Sequence, residues 1–415
     1  MRVKIHRGAR EIGGNCVELE ASGERVVLDV GRPLEAALDE AVEPPDLPGL
    51  ARGDDPSLRA IVLSHPHQDH YGLIEQVHPW IPLYVGEAAA AILEAAAFFA
   101  PSGVRLAPAG FLEDRQPLTV GPFTVTPYLV DHSAFDSYAL LVEAGGRRLF
   151  YSGDFRAHGR KSSLVTDLCD QPPEEVNVLM LEGTHVRDGG EGAPGPAESE
   201  VELAMAEAMR STPGLVTVFS STQNIDRLVT IYRACKRAAR TLVIDLYTAS
   251  IAAATGRNAI PQPGFPRLRI YVPNRQRILV KQSGEFQRVD SIRGHRVFLD
   301  EVRANAHNLV MLIQGSTLPE LAQAECLADA TAIWSLWPGY LDRPSGQRTV
   351  RLLDRHRVPL IHLHSSGHAQ VADLRALASA LAPARVVPMH SAAPERFEQL
   401  FSRVERHADG EWWEV

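Results

Sequence analysis

Three histidines and an aspartate fall within six residues at His65-Pro66-His67-Gln68-Asp69-His70. Imidazole and carboxylate donors at this density suit Zn²⁺, with Mn²⁺ as the alternative where oxygen donors are richer. A chance HxHxDH in a chain with 16 histidines in 415 residues has odds on the order of one in a thousand. Alternate residues point different ways in a turn, so His65 and His67 are expected to face one metal, and Asp69 and His70 a second. Two metals need more donors than this loop holds. His132 in VDHS, Asp154 in YSGDFR and His390 in VPMHS each follow an apolar run, where neighbouring strands converge at one sheet edge. Asp154, after a tight Ser-Gly turn, is suited to bridge both metals through its two oxygens. Asp29 in LDVG also ends a strand and is placed to orient a ligand from behind.

Phosphodiester hydrolysis is a chemistry such a set can perform. It needs a nucleophile at neutral pH, and coordination lowers the pKa of bound water from about 15.7 to about 7. The leaving oxygen needs a proton, which a histidine backed by a carboxylate can supply. Ser365, Ser366 and Gly367 offer hydroxyls and backbone N–H groups where a phosphate can rest, with His364 beside them.

Strands and helices must bring these positions together. Val3–His6, Cys16–Ala21 and Arg25–Asp29 read as short strands, and Arg59–Ser64 as a strand buried in a sheet. A helix is expected to start at Gly72–Val77, and the alanine-rich Gly86–Ala100 predicts another. Strands follow at Phe123–Leu129, Ser137–Glu143, Arg148–Ser152 and Val178–Glu182, a layered α/β pattern. The Gly/Pro/acidic run Arg187–Pro196 reads as a flexible junction. Beyond it, helix Glu198–Met209, strand Leu215–Ser220, helix Ile225–Ala238, strand Thr241–Leu246 and a helix from Ala249 alternate as in a separate parallel-sheet unit. Strand-like runs resume from about Thr349, with Leu360–His364, helix Gln370–Leu381 and Arg385–Pro388.

Composition bounds the rest. The hydrophobic share is 45%, which excludes disorder as the overall state. With 42 basic and 51 acidic side chains the net charge is −9, which excludes a uniformly basic nucleic-acid binder but not a local basic groove. Cys16, Cys169, Cys235 and Cys326 are far apart, so neither a disulfide framework nor a zinc–thiolate knuckle is indicated. No signal-peptide core or bilayer-length apolar run is seen, so a cytoplasmic protein without membrane contact is expected.

The ordered series LDVG, HPHQDH, VDHS and SGDFR resembles the motifs of the metallo-β-lactamase fold. LEGTH with Glu182, HSSGHA with His368 and VPMHS with His390 resemble motifs A, B and C of its β-CASP nuclease branch, which includes the RNase J family. HRGAREIGGNCVELE and FSSTQNIDRLVTIYRA look like that branch too, so the resemblance covers nearly the whole chain. It implies an αββα sandwich, residues 1–186 and 349–415, split by an inserted α/β β-CASP cap at 187–348. It further implies one zinc on His65, His67 and His132, and a second on Asp69, His70 and His390, with Asp154 bridging. Glu182 and His368 would form a paired acid, the carboxylate charging the imidazole that faces the scissile phosphate. A histidine in motif C is the pattern of the RNA-processing members, which favours single-stranded RNA over DNA as substrate. The chain ends about 25 residues after His390, so the further C-terminal domain of RNase J is not expected, and a homodimer is a candidate assembly.

Charge distribution suits that division. Arg187 to Asp342 holds 17 Lys/Arg against 16 Asp/Glu, a balance of +1 that leaves −10 for the remainder. Within it Arg257–Arg303 has ten basic and four acidic residues, and Tyr247, Phe265, Tyr271 and Phe286 are aromatics available to stack bases. Trp334 and Trp337 are expected to be packing residues. The leading expectation is a two-metal ribonuclease acting through a metal-activated hydroxide, by exonucleolytic or endonucleolytic cuts. Its rivals are a small-molecule ester or lactone hydrolase on the same scaffold, a DNA nuclease, and a non-catalytic RNA-binding scaffold.

Overall fold

A computed structural model of the chain describes residues 1–36, 40–100, 103–187 and 195–415. Most of the expected junction at 187–196 lies outside the described residues. The chain divides into two units: Met1–Ala97, Ser102–Gly195 and Gly367–Val415 form the first, Phe98–Pro101 and Pro196–Ser366 the second.

The first unit begins with eleven strands among the described residues: β1 (Arg2–Arg7), β2 (Cys16–Ala21), β3 (Glu24–Leu28), β4 (Leu58–Val62), β5 (Leu83–Gly86), β6 (Gly110–Leu112), β7 (Leu118–Val120), β8 (Phe123–Val130), β9 (Ser137–Ala144), β10 (Arg147–Tyr151) and β11 (Val178–Glu182). The second unit contributes β12 (Val216–Phe219), β13 (Thr241–Asp245), β14 (Leu268–Tyr271), β15 (Leu309–Ile313), β16 (Thr331–Trp334) and β17 (Leu360–His362). The chain then returns to the first unit with β18 (Arg385–Met389) and β19 (Trp412–Glu414).

Two sheets make the first unit, in the orders β19-β1-β2-β3-β4-β5-β6 and β18-β11-β10-β9-β8-β7. Alternation along β8 buries Phe123 and Val125 and leaves Thr124 and Thr126 partly open, so one face is pressed inward. That face meets Val17, Leu19, Val26, Leu28 and Val62 from the other sheet in a shared core. β11 is buried on both faces and reads as an unbroken apolar run. Its outward Leu179 and Leu181 pack with Val165 and Leu168 of helix Ser162–Asp170 and with Leu374 and Leu377 of helix Val371–Leu381. Behind the first sheet, Val27, Ile61 and Val85 pack on Ala89 and Leu93 of helix Glu87–Ala97. The layers therefore run helix, sheet, sheet, helix, the α/β sandwich that the strand pattern led one to expect.

Strand direction decides where the chemistry gathers. β3 and β4 are parallel, and so are β10, β11 and β18. β8 and β10 both run antiparallel to β9 and hence share a direction. Asp29 follows β3, the HPHQDH loop β4, His132 β8, Asp154 β10 and His390 β18, while Glu182 closes β11. Each of these motifs thus sits at a C-terminal strand end.

The second unit is a six-stranded sheet, β14-β13-β15-β12-β16-β17, with every pairing parallel. Apolar clusters cover both faces, one with Met205, Leu228 and Ile231, the other with Leu318, Leu321 and Leu353. Such burial on two sides is what parallel sheets require. β17 belongs here, pairing Trp334 with His362, although the sequence reading put it in the return segment from residue 349. A three-residue half-exposed edge strand carries too little pattern to reveal its partner. The helix expected to start at Gly72 is only a 3₁₀ turn at Ile74–Gln76, and Gly86 ends β5 instead of starting a helix. Helix Leu246–Ala254 starts earlier than Ala249 because Asp245 caps it, accepting from the Thr248 N–H (2.7 Å). No helix of the described residues is long and apolar enough to cross a membrane.

Candidate metal centre

The loop after β4 is held from below by the segment after β3. Val30 N–H donates to the His70 carbonyl (2.8 Å), Arg32 N–H to that of Gln68 (2.9 Å), and Asn15 N–H to that of Asp69 (3.0 Å). Gly31 makes this approach feasible: a Cβ there would lie 1.8 Å from the Asp69 carbonyl oxygen. Two non-glycine residues at the site adopt left-handed backbone, Asp29 at φ 60° and His390 at φ 49°, the kind of strain that persists where surroundings fix a side chain's aim.

Donor atoms converge in three groups, each within 4.8 Å: His65, His67 and His132; Asp69, His70, Asp154 and His390; and Asp154, Glu182 and His368. His67 Nδ1 and His132 Nε2 stand 3.1 Å apart. Asp154 Oδ2 lies 3.2 Å from His70 Nε2 and 3.7 Å from His65 Nε2, and its Oδ1 lies 3.5 Å from His390 Nδ1. Asp69 Oδ2 is 3.8 Å from His390 Nε2. All seven residues that the sequence put forward as metal ligands belong to these groups, and all lie in the first unit.

The donor chemistry fits divalent metal. His65 Nε2, His70 Nε2, both Asp154 oxygens and both His390 nitrogens are buried without a hydrogen-bond partner. Each such atom costs about 1–3 kcal/mol if left unsatisfied, and a shared cation satisfies them together. Burial, with repulsion from the neighbouring imidazoles, holds His65 and His132 well below the usual histidine range. Burial likewise lowers His67 to about 4, so this trio is neutral at pH 7, the form that ligates.

A hydrogen-bonded network behind the donors fixes their aim. His70 Nδ1 donates to Asp29 Oδ2 (2.7 Å), leaving Nε2 to face Asp154. Asp29 also accepts from the Ser64 N–H and hydroxyl (both 2.7 Å) and from the Tyr151 hydroxyl (2.8 Å), which in turn accepts from Asn15 Nδ2 (3.1 Å). The sequence pointed to Asp29 in this role but not to Ser64, Tyr151 or Asn15. Removing Asp29's charge while keeping its shape, in Asp29→Asn, is expected to weaken metal affinity by about 10- to 100-fold. Competitive chelator titration checks this; unchanged affinity would show that the carboxylate does not tune His70.

Glu182 and His368 form a pair, with His368 Nδ1 3.2 Å from Glu182 Oε2 and 3.1 Å from Thr184 Oγ1. Glu182 Oε1 accepts from the N–H groups of Phe155 (3.1 Å) and Ala369 (3.3 Å). Burial pulls the His368 pKa down, but Glu182 and Asp154 outweigh it and raise it to about 9. Gly367 packs on the same edge, where a Cβ would stand 2.4 Å from Ser133 Oγ and 3.4 Å from His132 Cε1. His185, whose ring centroid is 6.5 Å from that of His368, joins none of the donor groups. A buried ion pair went unnoticed in the sequence: Arg156 Nε lies 3.4 Å from Asp131 Oδ1, bracing the residues just before His132 and just after Asp154.

The other residues put forward for phosphate, His364, Ser365 and Ser366, fall in the second unit. There Ser365 is buried, and its carbonyl accepts from Nη2 of the buried Arg227 (3.2 Å). Arg227 also clasps Glu198 (Nε to Oε1, 2.6 Å; Nη2 to Oε2, 3.1 Å) and donates to the Ser335 carbonyl (3.0 Å). His364 Nδ1 lies 3.3 Å from that same carbonyl. These contacts fix the loop's backbone.

The two-sheet sandwich with its strand-end donors is that of a known class, and residues 33–217 match the model of the beta-lactamase superfamily domain. Over those residues the chain is similar to the beta-lactamase superfamily domain. Particular relatives are proteins named ribonuclease J. That of Sinorhizobium meliloti is 26% identical over 48% of this chain and 36% of its own, and that of Mycobacterium tuberculosis 28% over 55% and 41%. That of Mycolicibacterium smegmatis is 25% identical over 94% of this chain and 68% of its own. The first relatives are thus matched over only about a third of their length. A crystal structure of a protein of unknown function from Enterococcus faecalis superposes with TM-score 0.81 at 20% identity, over 99% of both chains, and shows the same fold.

Proposed function

We propose that the chain is a two-metal phosphodiesterase of the β-CASP type that cleaves single-stranded RNA. The observation that carries this reading is the meeting, where strand ends of the two sheets converge, of two donor groups with Asp154 beside both and a Glu182–His368 pair against them. In it His65, His67 and His132 hold one zinc ion, Asp69, His70 and His390 the other, and Asp154 serves both. Bound metals at such sites supply hydroxide at neutral pH and stabilise charge on phosphoryl oxygens. The protein's own groups do the remainder. Asp29 keeps the His70 proton on Nδ1, so the opposite nitrogen is free to ligate. Glu182 keeps His368 protonated, and His368 passes that proton to the leaving oxygen. The ribonuclease J names of the relatives support RNA as the substrate.

End-labelled single-stranded RNA bearing a 5′-phosphate, 5′-triphosphate or 5′-hydroxyl, with zinc or manganese, tests this. Wild type is expected to cleave, and both a chelator and the Asp69→Ala, His70→Ala double variant to stop it. Equal degradation by wild type and the double variant sinks the assignment, and product lengths separate end trimming from internal cuts. Lactones or esters turned over faster than RNA would favour the small-molecule reading.

A further inference from the structure

Trp337 was expected to pack inside, yet it is 53% exposed, whereas Trp334 is buried. The exposure is built. A Cβ on Gly339 would stand 2.1 Å from both Cη2 and Cζ3 of Trp337 and 2.6 Å from Cζ2, so the six-membered ring lies face-on over the Gly339 Cα. Glycine at 339 is what lets the indole rest there, with about half of the side chain still open to solvent. The loop is braced by the Trp334 indole N–H donating to the Trp337 carbonyl (3.4 Å) and by the Tyr340 N–H donating to the same oxygen (3.1 Å). Tyr340 meets Trp337 edge to face, with centroids 5.5 Å apart at 87°, and the Arg343 guanidinium sits 4.9 Å from the Tyr340 ring centroid. Tyr340 is itself 39% exposed. Among the aromatics read earlier as base-stacking candidates, Tyr271 is buried and Tyr247 stacks on Phe99.

We infer that Trp337, Tyr340 and Arg343 form a stacking platform for an unpaired nucleobase, a site of the second unit that rests on the proposed RNA substrate. Three observations select this occupant. A preorganised, solvent-facing indole offers the flat π-surface that bases stack on irrespective of sequence. Arg343 supplies the cation for an adjoining phosphate, and exposed Arg348 and Arg351 continue the positive charge along helix Pro344–Arg355. The platform lies just past the C-terminal end of β16 in an all-parallel sheet, the edge at which such sheets bind ligands.

Anisotropy of a labelled ten-nucleotide oligoadenylate, titrated with the full chain, tests it beside RNA cleavage by the same preparations. Trp337→Ala is expected to weaken oligonucleotide binding about tenfold. Trp337→Phe should restore most of the loss, and competition by inorganic polyphosphate, which has charge but no bases, should be unchanged by Trp337→Ala. If wild type binds and cleaves while Trp337→Ala binds equally well, the platform is refuted and the RNA reading stands. If Trp337→Ala weakens binding but wild type cleaves nothing, the platform is supported and the cleavage reading fails. A wild type that binds no oligonucleotide overturns both. A dimer broken by Trp337→Ala with oligonucleotide binding intact assigns the patch to a second copy and overturns the platform.

Discussion

Asp154→Ala is expected to empty both donor groups at once and to lower RNA cleavage by more than about 10⁴-fold. Its two oxygens are buried, lack hydrogen-bond partners, and lie between His65 and His70 on one side and His390 on the other. Without it, the buried imidazoles of His65, His70 and His390 lose the carboxylate that faces them, and the two donor groups lose the ligand placed beside both. The size of the effect follows from what metal supplies: a nucleophile whose pKa is lowered by about 9 units. Metal content per chain by emission spectroscopy, read beside cleavage rate, checks it. Retention of two metal equivalents would show that Asp154 bridges nothing. His67→Ala is the useful contrast, since it touches only the trio of His65, His67 and His132.

His368→Ala is expected to slow cleavage about 10²- to 10⁴-fold while leaving metal content intact. His368 lies 3.6 Å from Asp154, close enough to the centre to act on a substrate there, but its Nδ1 is engaged by Glu182 and Thr184. An RNA whose leaving oxygen is replaced by a better leaving group needs the proton less, so the loss should shrink with such a substrate. Metal lost together with activity would make His368 a ligand, and an unchanged rate would remove it from the chemistry.

Much of this centre was legible in the sequence because its residues follow strands and carry distinctive side chains. The HPHQDH loop, His132, Asp154, Glu182, His368 and His390 each announce themselves by residue type after an apolar run. What supports them is less visible. Tyr151 and Asn15 reach Asp29 only through pairing of remote strands, and neither type is unusual in its local setting. Arg156 looks like any surface arginine until the fold buries it against Asp131. Trp337 misled for the opposite reason: large aromatics pack inside by default, and only Gly339 two residues on hints that this indole lies on backbone. The sheet membership of β17 was hidden because three half-exposed residues hold no period worth reading.

The pairing of β18 with β11 sets a schedule for synthesis. Val178 pairs with Arg385, and Pro196–Ser366, the bulk of the second unit, is translated between these two strands. A nascent chain that has made β11 already carries the HPHQDH loop, His132, Asp154 and Glu182, yet lacks His368 and His390. The last donor is therefore delivered only after some 200 further residues have left the ribosome, a long-range closure that is intrinsically late in folding. A half-made chain therefore holds an incomplete donor set until β18 has joined β11.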